Sequence, residues 1–162
     1  MKTNRSNALN LERAEFKKMG YQLVDDLSEL LSQMAERPVT TGKEPLEVLQ
    51  LIGEQSLPEE GKPAPELLKK ATELLIKDSL FNGHPKFLGY ITSSPSPLGI
   101  LADLLASGVN QNTGAQILSP VATEIEKQTV SWLSEFIGLP DSYGGLLLSG
   151  GNMANFTAYM AG

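Results

Sequence analysis

A short apolar run, a turn of small residues and a helical pattern follow one another at the end of this chain, and that succession limits its fold more than any other feature. Gly144-Gly145-Leu146-Leu147-Leu148 reads as a strand, and Ser149-Gly150-Gly151-Asn152 as the turn. Met153, Phe156, Tyr159 and Met160 then fall at helical spacing, and the sequence stops at Gly162 without a polar cap or closing turn. Strand, small-residue turn and helix in succession make the first half of an α/β unit. The expected fold class is therefore α/β, with only its first strand in the sequence, and the open last helix reads as a truncation.

Everything before that unit reads as helix and loop. Between Leu9 and Met34 the apolar residues Phe16, Met19, Leu23, Leu27, Leu30, Leu31 and Met34 form one stripe, which Pro38 ends. Such a stripe must be covered, either by the body of the fold or by a second subunit. From Val39 to Pro65 the composition shifts to Pro, Gly, Glu and Thr, a linker with one or two helical turns. A second helix is predicted from about Pro65 to Asp78, with Leu67, Leu68, Ala71, Leu74 and Leu75 on its apolar side. The segment from His84 to Pro97 is too rich in Pro, Ser and Gly for a helix and reads as an ordered loop of the functional kind.

Two Ser-Pro pairs then open helices. After Ser96-Pro97, Leu98, Leu101, Leu104 and Leu105 predict a buried helix. After Ser119-Pro120, Val121, Ile125, Trp132 and Phe136 are expected to point inward, with Gly138 and Pro140 closing that helix. Asp103, Glu124 and Glu126 lie on these helices as structural or surface acids.

The overall balance narrows the partners. With 41% hydrophobic and 20% charged residues the chain has globular composition, and a net charge of −6 argues against nucleic acid or an anionic membrane as a partner. No stretch reaches the length of a membrane span, and no apolar run follows Met1-Lys-Thr-Asn-Arg-Ser-Asn7 as in a signal peptide. The absence of cysteine excludes a disulfide framework and a thiolate metal site, no metal site is expected, and a cytoplasmic address fits best.

The turn at Ser149–Asn152 carries the one chemical signal. First-turn amides lack intrahelical acceptors, the helix dipole adds partial positive charge, and glycines let a ligand reach the backbone, so a phosphate is the natural occupant. A plain capping serine and a tight glycine turn are the alternative. The sequence is not a Walker A loop, lacks the dinucleotide fingerprint, and has no glycine two residues before Ser149 as a nucleophile elbow requires.

Five segments in order, His84-Pro-Lys-Phe-Leu-Gly-Tyr90, Leu101-Ala-Asp-Leu-Leu-Ala106, Asn110-Gln-Asn112, Ser119-Pro-Val-Ala-Thr-Glu-Ile-Glu126 and Ser149-Gly-Gly-Asn-Met-Ala-Asn155, resemble the pyridoxal-phosphate-dependent decarboxylases of aromatic amino acids, glutamate and related substrates. The resemblance covers residues 80–162 well. It implies an N-terminal helical arm and pocket loop over 1–95, followed over 96–162 by the start of a large cofactor domain of the aspartate aminotransferase-like fold. It also implies pyridoxal 5'-phosphate as cofactor, held at Gly151 and Asn152, and an amino-acid substrate met by Tyr90 and Ser93. Glutamate-specific members tend to carry glutamine where Tyr90 stands, so an aromatic or apolar substrate is favoured. Asn110, Gln111 and Asn112 read as a solvated loop near a dimer interface.

The resemblance further implies a homodimer joined through the N-terminal helices, and a carboxy-lyase activity for the full-length protein. The family's cofactor-binding lysine directly follows a histidine, whereas His84, the only histidine here, precedes Pro85. No catalytic residue is therefore expected in this segment, which is expected to be inactive alone. A non-catalytic dimerisation module, or an aminotransferase or lyase on the same cofactor fold, is the alternative.

Overall fold

The long apolar stripe becomes helix α1 (Arg13–Ser32), followed by a 3-10 turn at Met34–Glu36. The computed structural model describes residues 10–53, 56–140 and 142–162, so Leu9, where the stripe was expected to begin, lies outside the described residues. Helices α2 (Pro45–Ile52), α3 (Ala64–Asp78), α4 (Pro97–Val109), α5 (Pro120–Phe136) and α6 (Gly151–Ala161) follow. The chain divides into two units, Met1–Pro95 and Ser96–Gly162.

In the first unit α1 packs on α3. Met19, Leu23, Leu27, Leu30 and Leu31 are thereby half-buried, while Phe16 at the start of the stripe stays exposed. The face α3 turns to the groove is Pro65, Leu68, Thr72 and Ile76. This differs from the expected side, of which Leu67, Ala71 and Leu75 are exposed. Thr72 fits an otherwise apolar stripe because its hydroxyl donates to the Leu68 carbonyl at 2.9 Å, leaving its methyl group to pack.

The strap that follows α1 is bound along the end of α3. Arg37 Nη1 donates to the Ile76 carbonyl at 3.2 Å, the Phe81 amide donates to the Val39 carbonyl at 3.0 Å, and Lys43 pairs with the largely buried carboxylate of Asp78. These bonds span a linker that by composition alone looks free.

The second unit begins as its capping residues dictate. Ser96 Oγ accepts from the Gly99 amide at 3.3 Å with Pro97 at the first helical position, and α4 ends at Asn110 in the left-handed region (φ 48°), which asparagine tolerates. Ser119 does not repeat the device. Its hydroxyl donates to Gln111 Oε1 instead of capping α5, and the residue is buried. Helix α5 closes in a Schellman motif: the Gly138 amide reaches the Glu135 carbonyl at 3.0 Å and the Leu139 amide the Ser134 carbonyl at 2.9 Å, with Gly138 at φ 77°.

Two expectations fail here for one physical reason. Leu98, Leu101, Leu104 and Leu105 on α4, and Val121, Ile125, Trp132 and Phe136 on α5, are exposed, Phe136 to 87%. Gly144–Leu148 forms no strand ladder, and the described residues contain no strand. A helix buries its stripe, and a strand pairs, only against a neighbouring element, and in the second unit the described residues supply none. What does hold the 144–148 segment is α5: the Leu147 amide donates to Glu126 Oε1 at 3.0 Å, and Gly145 lies so close to Val130 that an added Cβ would stand 2.9 Å from its methyl. Taken over all described residues the chain is mostly helical, as expected for the N-terminal part of such an α/β fold.

Candidate functional site

The turn before α6 is built for an external acceptor. Gly150 is the N-cap at φ 155° and ψ 170°, a conformation essentially confined to glycine, and no side chain caps the helix. Ser149 is thus not the cap, and its hydroxyl has no partner among the described residues. The first helical bond is the Ala154 amide to the Gly150 carbonyl at 3.0 Å. That leaves the amides of Gly151, Asn152 and Met153 without acceptors among the described residues.

The surroundings are equally permissive. Ser149 to Met153 line a shallow depression, a Cβ added at Gly150 or Gly151 would meet nothing within 4 Å, and no acidic residue lies in the first turn. Three free amides at the positive end of a helix, with open space and no competing carboxylate, can bind a phosphate group. Glu126, read from sequence as merely structural, fixes the approach to this turn through Leu147. Helical spacing alone carries no signal of that bond.

Tyr90 and Ser93 lie in the other unit, on the loop that follows α3. Its neck is closed by Gly83 against Pro95, where an added Cβ would stand 2.8 Å from the proline Cδ, so the ends of residues 84–94 meet as in an Ω-loop. Tyr90 is 89% exposed, and its φ of 60° is unusual for a residue with a side chain. Its ring lies 6.3 Å from that of Phe87. Ser93 is exposed and its hydroxyl has no partner among the described residues. Asn112 Oδ1 accepts from the Gly114 amide at 3.0 Å and Gln111 from Ser119, so two of the three polar residues expected to be merely solvated shape their own loop.

A family model for the pyridoxal-dependent decarboxylase conserved domain matches residues 45–162, and the chain belongs to that family. It is 35% identical over 153 residues to the aromatic-L-amino-acid decarboxylase of Bacillus atrophaeus, covering 94% of this chain and 32% of that protein. It is 32% identical over 146 residues to the phenylacetaldehyde synthase of Petunia hybrida, covering 87% of this chain and 27% of that protein. Among solved structures it is similar to the Oryza sativa protein TDC with PLP and tryptamine, at a TM-score of 0.73 and 25% identity over 90% of this chain and 30% of that one. Catharanthus roseus tryptophan decarboxylase in complex with L-tryptophan aligns at a TM-score of 0.69 and 25% identity, over 80% of this chain and 28% of that one. The chain thus spans about a third or less of the length of these relatives.

Proposed function

We propose that the complete protein is a pyridoxal 5'-phosphate-dependent carboxy-lyase acting on an aromatic amino acid, and that this chain supplies its phosphate turn, part of its pocket wall and its dimer arm. The open N-terminus of α6 is the observation that carries this reading. The Gly151 and Asn152 amides would hold the cofactor phosphate, and the Asn152 side chain adds a neutral donor. When bound, the cofactor supplies the electron sink for the bond that releases CO₂.

This chain's own residues bind and orient. Tyr90 offers an aromatic face to the substrate side chain, and the Ser93 hydroxyl a donor to its carboxylate. No residue here is assigned to making or breaking bonds. Apolar side chains left exposed on α1, Phe16, Tyr21 and Val24, support docking on a second copy as a homodimer. A cysteine-free sequence supports a cytoplasmic setting, and among the described residues no helix is long and apolar enough to cross a membrane.

The test is to incubate the complete protein with pyridoxal phosphate and L-tryptophan, L-tyrosine, L-phenylalanine or L-glutamate, measuring CO₂ and the organic product together. CO₂ with the matching amine is expected, the best aromatic substrate exceeding glutamate by at least about 100-fold in kcat/KM. Keto-acid formation without CO₂ rejects decarboxylation. A second reading, an aldehyde synthase, is supported by the names of the Petunia relative and of the structurally similar Rhodiola rosea 4-hydroxyphenylacetaldehyde synthase. It is selected if CO₂, ammonia and the aldehyde appear in place of the amine, with dioxygen consumed as the two-electron oxidant and hydrogen peroxide formed.

A further inference from the structure

His84 is buried to 3% exposure, in a loop whose Leu88, Tyr90 and Ile91 stand almost fully in solvent. A buried imidazole needs partners for both ring nitrogens. Nδ1 lies 3.0 Å from the Lys86 amide, which can only donate, and Nε2 lies 2.8 Å from the Arg37 carbonyl oxygen, which can only accept. The partners therefore assign the ring proton to Nε2. Through Arg37, whose guanidinium holds the Ile76 carbonyl, the imidazole is tied to the ends of both α1 and α3.

In the other direction the same ring sets the loop. The Lys86 amide on Nδ1 and the Phe87 amide on the His84 carbonyl, at 2.9 Å, wind residues 84–87 into a turn. That turn lays the Phe87 ring over Gly89, where an added Cβ would be 3.2 Å from Cζ, and beside the Tyr90 ring. A tyrosine at φ 60° is strained and persists only if its surroundings hold it there. We infer that His84 is a positioning residue for Tyr90: its two ring nitrogens clamp the loop to the α1–α3 pair and so fix the ring that meets the substrate side chain. This rests on the reading of Tyr90 as a substrate contact.

The two bonds can be separated. Asparagine at 84 retains an acceptor for the amide two residues on, as in an Asx turn, but falls short of Arg37. Glutamine reaches towards the Arg37 carbonyl but loses the turn, and alanine loses both bonds.

In the complete protein with pyridoxal phosphate, His84→Ala and His84→Gln are expected to raise KM for the best aromatic amino acid about tenfold, with kcat and cofactor content nearly unchanged. His84→Asn, which keeps the turn bond and loses only the tie to Arg37, is expected to raise KM by a smaller amount, about threefold. Tyr90→Ala is expected to raise KM by itself, and His84→Ala added to it to raise KM no further, because the two act through one contact. Additive effects, or parallel losses of kcat, cofactor and melting temperature with no difference between His84→Asn and His84→Gln, overturn the positioning role. If His84→Ala is recovered unfolded, the asparagine and glutamine variants decide by the same comparison. An unchanged KM in Tyr90→Ala rejects the substrate contact itself and the inference with it, while a raised KM there beside an inert His84→Ala rejects the inference alone.

Discussion

Gly151→Asp is expected to abolish cofactor binding in the complete protein while α6 remains helical. Gly151 is the first residue of α6, and an added Cβ there meets open space, so the substitution introduces no clash within the chain. A carboxylate in the first turn of a helix stabilises it by about 0.3–1 kcal/mol, because it faces the same unsatisfied amides and partial positive charge that would otherwise attract a phosphate. The carboxylate takes the place of the ligand and repels it. Two like charges about 5 Å apart at the protein surface repel by about 3 kcal/mol, or roughly 100-fold in affinity, before the loss of the amide contacts is added. Titration with pyridoxal phosphate, followed by its absorbance, measures the affinity, and far-UV circular dichroism checks the helix. Gly151→Asn adds the same bulk without the charge and is expected to lose less. Undiminished affinity in Gly151→Asp means that the phosphate lies elsewhere, and the site assignment fails with it.

Legibility from sequence followed the range of the forces involved. Helices α4 and α5 were readable because the proline at each first turn, the Ser96 cap of α4 and the glycine–proline close of α5 act within a few residues, whereas Ser119 turned out to bond Gln111 instead of capping α5. The small-residue turn before α6 was readable as an open helix start, because its glycines and free amides are properties of a helix end. The inward faces were not readable. Trp132 and Phe136 have the spacing of core residues, yet spacing says only that a face is apolar, and burial depends on an element the described residues do not provide. The Gly144–Leu148 strand was overestimated in the same way, since its ladder needs a second strand. The contacts between distant residues were invisible: Arg37 to Ile76, Lys43 to Asp78, His84 to Arg37 and Glu126 to Leu147 join residues 21 to 47 positions apart with no periodic signature. His84 in particular was readable only as a loop residue, although it is one of two buried polar residues among those described.

The 162-residue chain by itself is expected to release no CO₂ from any amino acid and to unfold without a cooperative transition. The first half follows from chemistry: pyridoxal catalysis uses a lysine to hold the cofactor, the resemblance implies that this lysine directly follows a histidine, and the only histidine here is followed by Pro85. The second half follows from burial. Ordering a residue costs about 1–2 kcal/mol in backbone entropy, and burial of large apolar side chains, each worth about 1.5–3 kcal/mol, is the main compensation. Among the described residues no apolar side chain is buried, and Leu98, Val121, Trp132, Phe136, Phe156 and Tyr159 are all more than half exposed. Local caps and i,i+4 bonds sustain helices of 11 to 20 residues only marginally in water. Helical circular dichroism that melts gradually, a weak near-ultraviolet signal from Trp132, and binding of a hydrophobic dye are therefore expected together. A sharp two-state melt, or the appearance of the cofactor's imine absorbance at one stoichiometric lysine, would show that the chain completes a core or a cofactor site on its own. Either result would overturn its reading as one part of a larger catalytic domain.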